Sequence, residues 1–329
     1  MSHQADRKPD LATGYEALRS TAAVHVLPRD VVRVFGPEAT SYLQGQCSQD
    51  VEALAPSCAA DALLLSPQGK IDAFIRVTRT AGDEFVIDTD AGYGPVVTAR
   101  LERFRLRTKV QIEPLPWVCV AVRGPAAAQA IVGQPPLTVP VAWPGLSGFD
   151  LLGPAPGAPE AAWVDDETVR CGDEAWEAAR IEAGVPVNGR EVVEGTIAAE
   201  VGLVERTVSF TKGCFTGQEL VARLDARGSK VARRLCGVVL EMVGDDGGDD
   251  GAEPGSAPLP VGASVFTADH EHEVGQLTSV AWSPGAGATV ALAVLHRRVS
   301  PPAAVSVTWE RDGSQRQGRA EARPLPLIV

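Results

Sequence analysis

The sequence predicts an α+β protein of two or three domains, with a small antiparallel β-barrel or sandwich at its C-terminal end. At 329 residues, the chain is longer than one small domain and can form several separate cores. A strand followed by Gly-Pro and a helix occurs twice in the first half. Beyond residue 235, short β-rich runs are separated by glycine and proline, a pattern typical of antiparallel strands joined by turns.

The composition excludes several classes of protein. Hydrophobic residues make up 45% and charged residues 22% of the chain, as in ordinary globular proteins, and no run approaches the roughly 18 apolar residues that cross a bilayer. Residues 1–20 lack the apolar core of a secretory signal, so we expect a cytoplasmic protein that does not enter a membrane. A net charge of −12 opposes non-specific attraction to nucleic acid, and we expect no direct nucleic-acid binding.

The cysteine spacing gives no indication of a metal centre. None of the six cysteines forms a C-x-x-C pair, so the usual ligand spacing for zinc or an iron–sulfur cluster is absent, and we predict no metal site. In a reducing compartment these thiols are expected to be free.

The first α+β unit follows a polar leader, residues 1–22, which we predict to be loosely ordered and flexible. A strand at 31–35 runs into Gly36-Pro37, which opens a helix that ends near Gln46 and has Ala39, Tyr42, Leu43 and Gln46 on one face. A hairpin follows, with strands at 62–65 and 70–78 around Ser66-Pro67-Gln68-Gly69, a sequence that suits a type I turn. Alternation along its second strand places Asp72 away from the aliphatic side. A strand at 84–88 and a helix at 95–105, with its arginines outside the buried stripe, complete the unit.

The second unit begins like the first. A strand at 117–122 is followed by Gly124-Pro125 and an alanine-rich stretch to residue 132 that we predict to be helical. Two related halves would leave a ligand crevice between them, although such a common unit also recurs by chance.

A helix at 172–183, closed by Gly184 and Pro186, places Trp176 and Arg180 on one face, where they could sandwich a flat ring. Beyond it, strands are predicted at 235–240, 261–267, 273–282, 289–296 and 304–310. The acidic, glycine-rich run at 244–260 is predicted to be a solvated loop.

The segment 212–219, Lys-Gly-Cys-Phe-Thr-Gly-Gln-Glu, carries the clearest chemical signal. Its last four residues have the form of a capping box, which predicts a helix from Gly217. Cys214 would then lie near a helix N-terminus and two residues from Lys212, and both settings favour the thiolate. The alternative is a tight glycine loop around a packed structural thiol.

Three blocks of the sequence resemble the YgfZ/GcvT family of folate-binding proteins, which includes the aminomethyltransferase of the glycine cleavage system. The third block is similar to the YgfZ signature K-G-C-[FY]-x-G-Q-E, which places the resemblance with the YgfZ branch. The blocks are Val34-Phe35-Gly36 with Tyr42-Leu43-Gln44-Gly45-Gln46 and Asp50-Val51; Arg180-Ile181-Glu182-Ala183-Gly184-Val185-Pro186; and residues 208–219 followed by Val221-Ala222-Arg223.

The resemblance implies a three-lobed GcvT-like arrangement around a tetrahydrofolate pocket, with a C-terminal antiparallel β-barrel. It divides the chain into a folate-binding α+β domain at 23–115 and 188–232, a second α+β domain at 116–187 and the barrel at 233–329. The YgfZ branch has a second folate-site tryptophan near the first strand, where this chain has Arg29-Asp30-Val31-Val32. One wall of the expected pocket therefore differs from that of the YgfZ branch.

The same resemblance assigns cofactor-binding residues. Glu182 would read the pterin, because a carboxylate accepts two parallel N–H donors, and Trp176 would stack on its ring. Arg223 would meet the glutamate carboxylates of folate, and Gln218 and Glu219 belong to the same cofactor-binding set. The plain alternatives are core packing for Trp176 and a solvated helix position for Arg223.

Catalytic roles are implied for Cys214, Lys212 and Asp72. Asp72 lies close to the position of the aspartate that handles the reacting amine in aminomethyltransferases, where it could serve as a general base. A solvent-facing strand residue is the alternative.

The resemblance favours a tetrahydrofolate-binding accessory factor, a monomer, that supports the assembly or repair of iron–sulfur proteins through a reactive cysteine. Its partners would be folate and iron–sulfur proteins or their assembly factors. A folate-dependent aminomethyltransferase and a factor in tRNA modification are the alternatives, so whether the protein is an enzyme stays open.

Overall fold

The protein is described by a computed structural model that covers residues 10–154, 160–226, 228, 230–240, 259–311 and 313–328. None of the helices in these ranges is long and apolar enough to cross a membrane. In chain order the elements are α1 (Leu11–Ser20), β1 (Ala23–Leu27), β2 (Arg29–Phe35), α2 (Ala39–Gln46), β3 (Ala59–Leu65), β4 (Ile71–Ala81), β5 (Glu84–Asp90), α3 (Gly94–Arg103), β6 (Gln111–Leu115), β7 (Val118–Arg123), β8 (Leu137–Trp143), β9 (Leu146–Gly153), α4 (Glu160–Trp163), β10 (Val169–Arg170), α5 (Asp173–Ala183), α6 (Val204–Thr207), α7 (Gln218–Asp225), β11 (Arg233–Leu240), β12 (Ser264–Thr267), β13 (Glu273–Ser283), β14 (Ala288–His296), β15 (Ala303–Arg311) and β16 (Ser314–Arg323).

The first sheet has the strand order β3-β4-β5-β2-β6, and α2 and α3 contribute to the core on one of its faces. The predicted hairpin turn between β3 and β4 is confirmed, since the Gly69 N–H donates to the Ser66 carbonyl at 2.8 Å. Gly69 has a φ of 74°, which glycine adopts without strain. The apolar face of α2, formed by Ala39, Tyr42 and Leu43, is buried as the spacing predicted.

The second sheet has the order β10-β1-β7-β9-β8. It includes β1, whose residues 23–27 were expected in the folate-binding domain with β2, because β1 pairs along its whole length with β7. The chain therefore crosses from one sheet to the other between β1 and β2.

In each of the two sheets, one strand is followed directly by a glycine with a positive φ. Gly36 and Gly124 have φ values of 128° and 122°, and a Cβ on either would lie 2.5 Å from a backbone carbonyl of a neighbouring segment. Only glycine fits such a close approach. The helix predicted after Gly124 is wrong, however. Residues 124–130 form successive turns, and the chain then leaves to pair near Trp163, where the Val132 N–H donates to a carbonyl.

Helix α1 lies within the predicted flexible leader. Residues 11–20 are helical, with Tyr15 and Leu18 buried in the same core as α5. The prediction is therefore wrong for this part of the leader, because Leu11, Tyr15 and Leu18 recur at helical spacing and provide an apolar face. Residues 1–9 lie outside the described residues.

The C-terminal part is a closed barrel with the strand order β11-β14-β13-β12-β15-β16, which confirms the predicted antiparallel barrel. The sequence did not indicate β16, because its inward-facing residues, Gly318, Ala320 and Ala322, are small and give little hydrophobic pattern. Most of the predicted acidic loop, residues 244–258, lies outside the described residues.

Candidate functional site

A cavity of about 680 Å³, here called the central cavity, lies where α5, β1 and the barrel meet. Its wall includes His25 from β1, Trp176 and Arg180 from α5, and Trp282 and Thr289 from the barrel. A side cavity of about 330 Å³ shares Trp176 and Arg180 with it. The central cavity has the size and the mixture of apolar and polar groups typical of sites for small organic ligands.

The Trp176 ring is already packed against other side chains. Its centroid lies 4.6 Å from that of His25 in a stacked arrangement and 5.0 Å from that of Trp143 in an edge contact. The Arg123 guanidinium carbon lies 5.3 Å from the same centroid. With 5% of its surface exposed, Trp176 forms a fixed wall of both cavities.

The tautomer of His25 follows from one hydrogen bond. Its Nδ1 lies 3.1 Å from the carbonyl oxygen of Cys171, and since a carbonyl can only accept, Nδ1 carries the hydrogen. In the neutral ring Nε2 is then an acceptor. Burial lowers the pKa of His25, which favours this neutral form. The nearest carboxylate oxygen to Nε2, from the exposed Asp173, is 4.0 Å away.

A buried ion network lines the side cavity and joins the two sheets. Arg76 of the first sheet donates to Asp88 at 2.9 Å and to Asp150 of the second sheet at 2.6 Å, and Arg123 donates to Asp150 at 2.7 Å. Burial alone would raise the pKa of Asp150, but the charges of Arg123 and Arg76 hold it well below its usual range. This carboxylate therefore stays ionised and ties the sheets together.

Arg180 joins α5 to the barrel. Its guanidinium donates to Glu177 at 2.6 Å and to Ser279 of β13 at 2.5 Å, and it lies 3.3 Å from the buried Glu191. Glu191 in turn accepts from Ser279 at 2.6 Å. Arg180 thus holds the cavity wall in place with its hydrogen-bonding groups engaged within the protein.

The segment 212–219 lies across the end of α2. The Lys212 ammonium donates to the carbonyl oxygens of Gln44, Cys47 and Gln49, each at 2.7 Å. Burial lowers the pKa of Lys212, and the carbonyls satisfy its three donors. Lys212 therefore caps the C-terminal end of α2. Its three donors are engaged with these carbonyl oxygens and not with Cys214, whose activation was the predicted role of Lys212.

The predicted capping box is also wrong. Helix α7 begins at Gln218, and its N-cap is Gly217 at a φ of 81°, without a side-chain cap. A Cβ at Gly217 would lie 2.5 Å from the Ser66 carbonyl oxygen, so this position is set by close packing on the β3–β4 turn. The Gln218 side chain instead accepts from the Phe215 N–H at 3.1 Å, which braces the loop.

Cys214 is exposed, which overturns the alternative of a packed structural thiol. Among the described residues that line the two cavities, Cys214 does not occur. The thiol is therefore not part of the wall of either cavity. The thiol and the cavity are separate features of the molecule.

The chain is similar to known proteins in fold and in sequence. No protein-family model matches the chain. The glycine cleavage system aminomethyltransferase T of Bartonella henselae superposes with a TM-score of 0.77, over 97% of this chain and 89% of that chain, at 20% identity. This similarity confirms the predicted GcvT-like arrangement.

Three relatives carry different names. An aminomethyltransferase of Corynebacterium jeikeium is 26% identical over 91% of this chain and 85% of that protein. The tRNA-modifying protein YgfZ of Edwardsiella ictaluri is 28% identical over 60% of this chain and 65% of its own length. The human mitochondrial iron–sulfur cluster assembly factor IBA57 is 28% identical over 61% of each chain. The chain is thus similar to proteins of the YgfZ/GcvT type.

Glu182, at the end of α5, is fully buried. Its carboxylate accepts from the Tyr15 hydroxyl at 2.8 Å and also from Arg19 and Ser283. The carboxylate is thus engaged by side chains of the protein, and it does not line the central cavity. The sequence does not indicate the α1 partners of Glu182, because residues 1–22 are predicted to be a flexible leader.

Asp72, Glu219 and Arg223 do not line the central cavity. Asp72 accepts from the Arg100 guanidinium at 3.0 Å, so it forms an ion pair instead of facing a ligand. Arg100 is itself buried, contrary to the expectation for the arginines of α3. Glu219 and Arg223 are exposed on α7, and of the predicted cofactor-binding residues only Trp176 lines the central cavity.

Several residues around the two cavities were not anticipated from the sequence. His25 and Trp143 pack against Trp176, His25 in the wall of the central cavity and Trp143 in that of the side cavity. Trp282 comes from a barrel strand. Its sequence neighbours indicate only an alternating strand, and nothing local indicates that its side chain lines a cavity together with residues of α5.

Proposed function

We propose that this protein is a tetrahydrofolate-binding accessory factor that supports the assembly or repair of iron–sulfur proteins, with Cys214 as the thiol that meets the partner. The observation that carries the proposal is a braced loop that displays Cys214 at the surface, in a molecule that also holds a cavity of ligand size. The kinship with an iron–sulfur cluster assembly factor supports the same conclusion.

Contacts on both sides of Cys214 hold the loop in place, with this thiol at the surface. Lys212 is fixed by three carbonyls, and Gly217 and Gln218 fix the other side. A Cβ at Gly213 would meet nothing within 4 Å, so the space beside the thiol is open. Phe210, 51% exposed, provides an aromatic contact of the kind enriched in protein interfaces.

The cavity supports the folate part of the proposal. Its volume suits a ligand of that size, and it combines aromatic rings with hydrogen-bonding groups from β1, α5 and the barrel. A pterin needs both, because its faces are apolar and its edge carries N–H donors.

The test uses two exposed cysteines as a matched pair. In a strain that lacks its own factor of this kind, we expect the Cys214→Ser variant to restore iron–sulfur enzyme activity several-fold less well than wild type. The Cys58→Ser variant changes the other exposed free cysteine and should restore it fully. Full restoration by Cys214→Ser, at equal protein levels, would remove the thiol from the mechanism.

Aminomethyl transfer is the second candidate, since the relative that covers 91% of this chain is named an aminomethyltransferase. In that reading Asp72 would be the base and would have to leave Arg100. The assay is methylenetetrahydrofolate formation from an aminomethylated lipoyl carrier. Turnover above background that is lost in Asp72→Asn would establish this function in place of the accessory role.

A role in tRNA modification is named for the YgfZ relative. The net charge of −12 opposes direct contact with RNA, so we expect no tRNA binding at physiological salt. Binding that weakens steeply with added salt would support the RNA-directed role.

A further inference from the structure

Trp282 differs from the other tryptophans around the central cavity. It lies near the end of β13, lines the cavity and is partly exposed. Within the residues that the structure describes, its ring has no aromatic or cationic partner and its side chain no hydrogen bond. Trp176 and Trp143, by contrast, pack on each other. Trp282 is therefore the indole of this cavity that is left to contact a ligand.

The residue paired with Trp282 belongs to the same wall. Thr289 lies opposite Trp282 across the β13–β14 ladder and also lines the cavity. Strand pairing fixes the backbone of both residues, so the indole is presented by a rigid element of the barrel.

His25 contributes a directed acceptor from another element. Its ring is held by stacking on Trp176 and by the hydrogen bond from Nδ1 to Cys171. In the neutral ring the lone pair of Nε2 is left for a donor that enters the cavity. The groups that face the imidazole are Trp176, the Cys171 carbonyl and the exposed Asp173 carboxylate, with Arg123 as the nearby positive charge.

We propose that Trp282 is the stacking platform and His25 Nε2 the hydrogen-bond acceptor for a flat heteroaromatic ring that carries N–H donors. A ring held in this way touches both the barrel and β1, so the ligand cross-links the barrel to the α+β part of the molecule. The inference rests on the proposed folate binding and names the two residues that select the ring.

The stacking part is tested by the affinity for tetrahydrofolate, measured by calorimetry under anaerobic conditions. We expect Trp282→Leu to weaken binding about tenfold or more, as is typical when an aromatic platform is removed, and Trp282→Phe to keep most of the affinity. Trp309→Leu is the control, since Trp309 lies on β15 of the same barrel and packs against Gly318. The Trp309→Leu variant should bind tetrahydrofolate with the same affinity as wild type.

The acceptor part is tested by His25→Phe, which keeps a ring against Trp176 and removes Nε2. We expect this variant to bind at least several-fold more weakly at neutral pH. Wild-type binding should also weaken as the pH falls, because a protonated Nε2 donates where the ligand also donates, and His25→Phe should lack this dependence.

The outcomes separate the two proposals. If wild type binds tetrahydrofolate and Trp282→Leu binds equally well, the platform is wrong while folate binding stands. If wild type does not bind at millimolar ligand, both fail. Thermal unfolding of each variant, with and without ligand, shows whether a lost affinity reflects a misfolded barrel.

Discussion

At the scale of the residue, Lys212 shows how a motif residue can act through structure. Its ammonium satisfies three carbonyl oxygens at the end of α2, and Lys212→Met would leave these acceptors without their donor. We expect this variant to lose about 1–3 kcal/mol of unfolding free energy, measured by urea denaturation. Lys70→Met, at a partly exposed position of the hairpin, should change stability little. Equal effects of the two variants would contradict the capping role.

His25 makes folding stability depend on pH. Burial lowers its pKa below the ordinary value of 6.5, so the unfolded chain takes up the proton at a higher pH than the folded chain. The stability from neutral His25 is fully present above about pH 6.5 and is lost as the pH falls through the lower folded value. Between about pH 7.5 and about pH 5.5, wild type should lose more unfolding free energy than His25→Phe in urea titrations. Parallel curves would contradict this assignment.

At the scale of the element, one buried carboxylate ties α1 to α5 and the barrel. Glu182 accepts from Tyr15 and Arg19 of α1 and from Ser283 of the barrel. Removing it in Glu182→Ala leaves these donors unpaired, which costs about 3 kcal/mol at a buried site, and Tyr15→Phe should cost about 1 kcal/mol. Chemical denaturation measures both. If Glu182→Ala instead keeps wild-type stability and loses only folate binding, the result would support a role of Glu182 in binding the pterin.

Elements with a strong local pattern could be predicted from the sequence. The apolar spacing of α2 and the Ser66-Pro67-Gln68-Gly69 turn are confirmed because they depend on nearby residues alone. The capping box failed because the N-cap is Gly217 in a left-handed conformation, packed so closely on the Ser66 carbonyl, distant in the sequence, that a side chain would not fit there. Strand β16 was missed because small inward residues carry little hydrophobic signal.

The candidate site was predictable only where one element supplies it. Trp176 and Arg180 were placed together because they share a face of α5, and both line the central cavity. His25 and Trp282 reach that cavity from β1 and β13, and their meeting depends on how the sheets and barrel assemble. The thiol of Cys214 was placed beside a ligand because the motif was interpreted without knowing where Lys212 anchors.

At the scale of the whole molecule, the two sheets are joined through buried charges. Asp150 of the second sheet binds Arg76 of the first and Arg123 of its own sheet. In Asp150→Asn, Arg123 loses its counter-charge in a buried place and Arg76 keeps only Asp88, so we expect a loss of about 3–5 kcal/mol, measured by denaturation. Asp61→Asn removes the partner of Arg206 at a more exposed site and should cost less than about 1 kcal/mol. Similar losses would contradict the central place of the Asp150 network.

The central claim is that the cavity between the barrel and the α+β part of the molecule is the folate site. A crystal structure of the protein grown with tetrahydrofolate tests it most directly. We predict density for the pterin ring in the cavity lined by His25 and Trp282, with Cys214 away from the ligand. An empty cavity at a concentration of tetrahydrofolate that saturates the protein, or a ring bound elsewhere on the molecule, would contradict the claim.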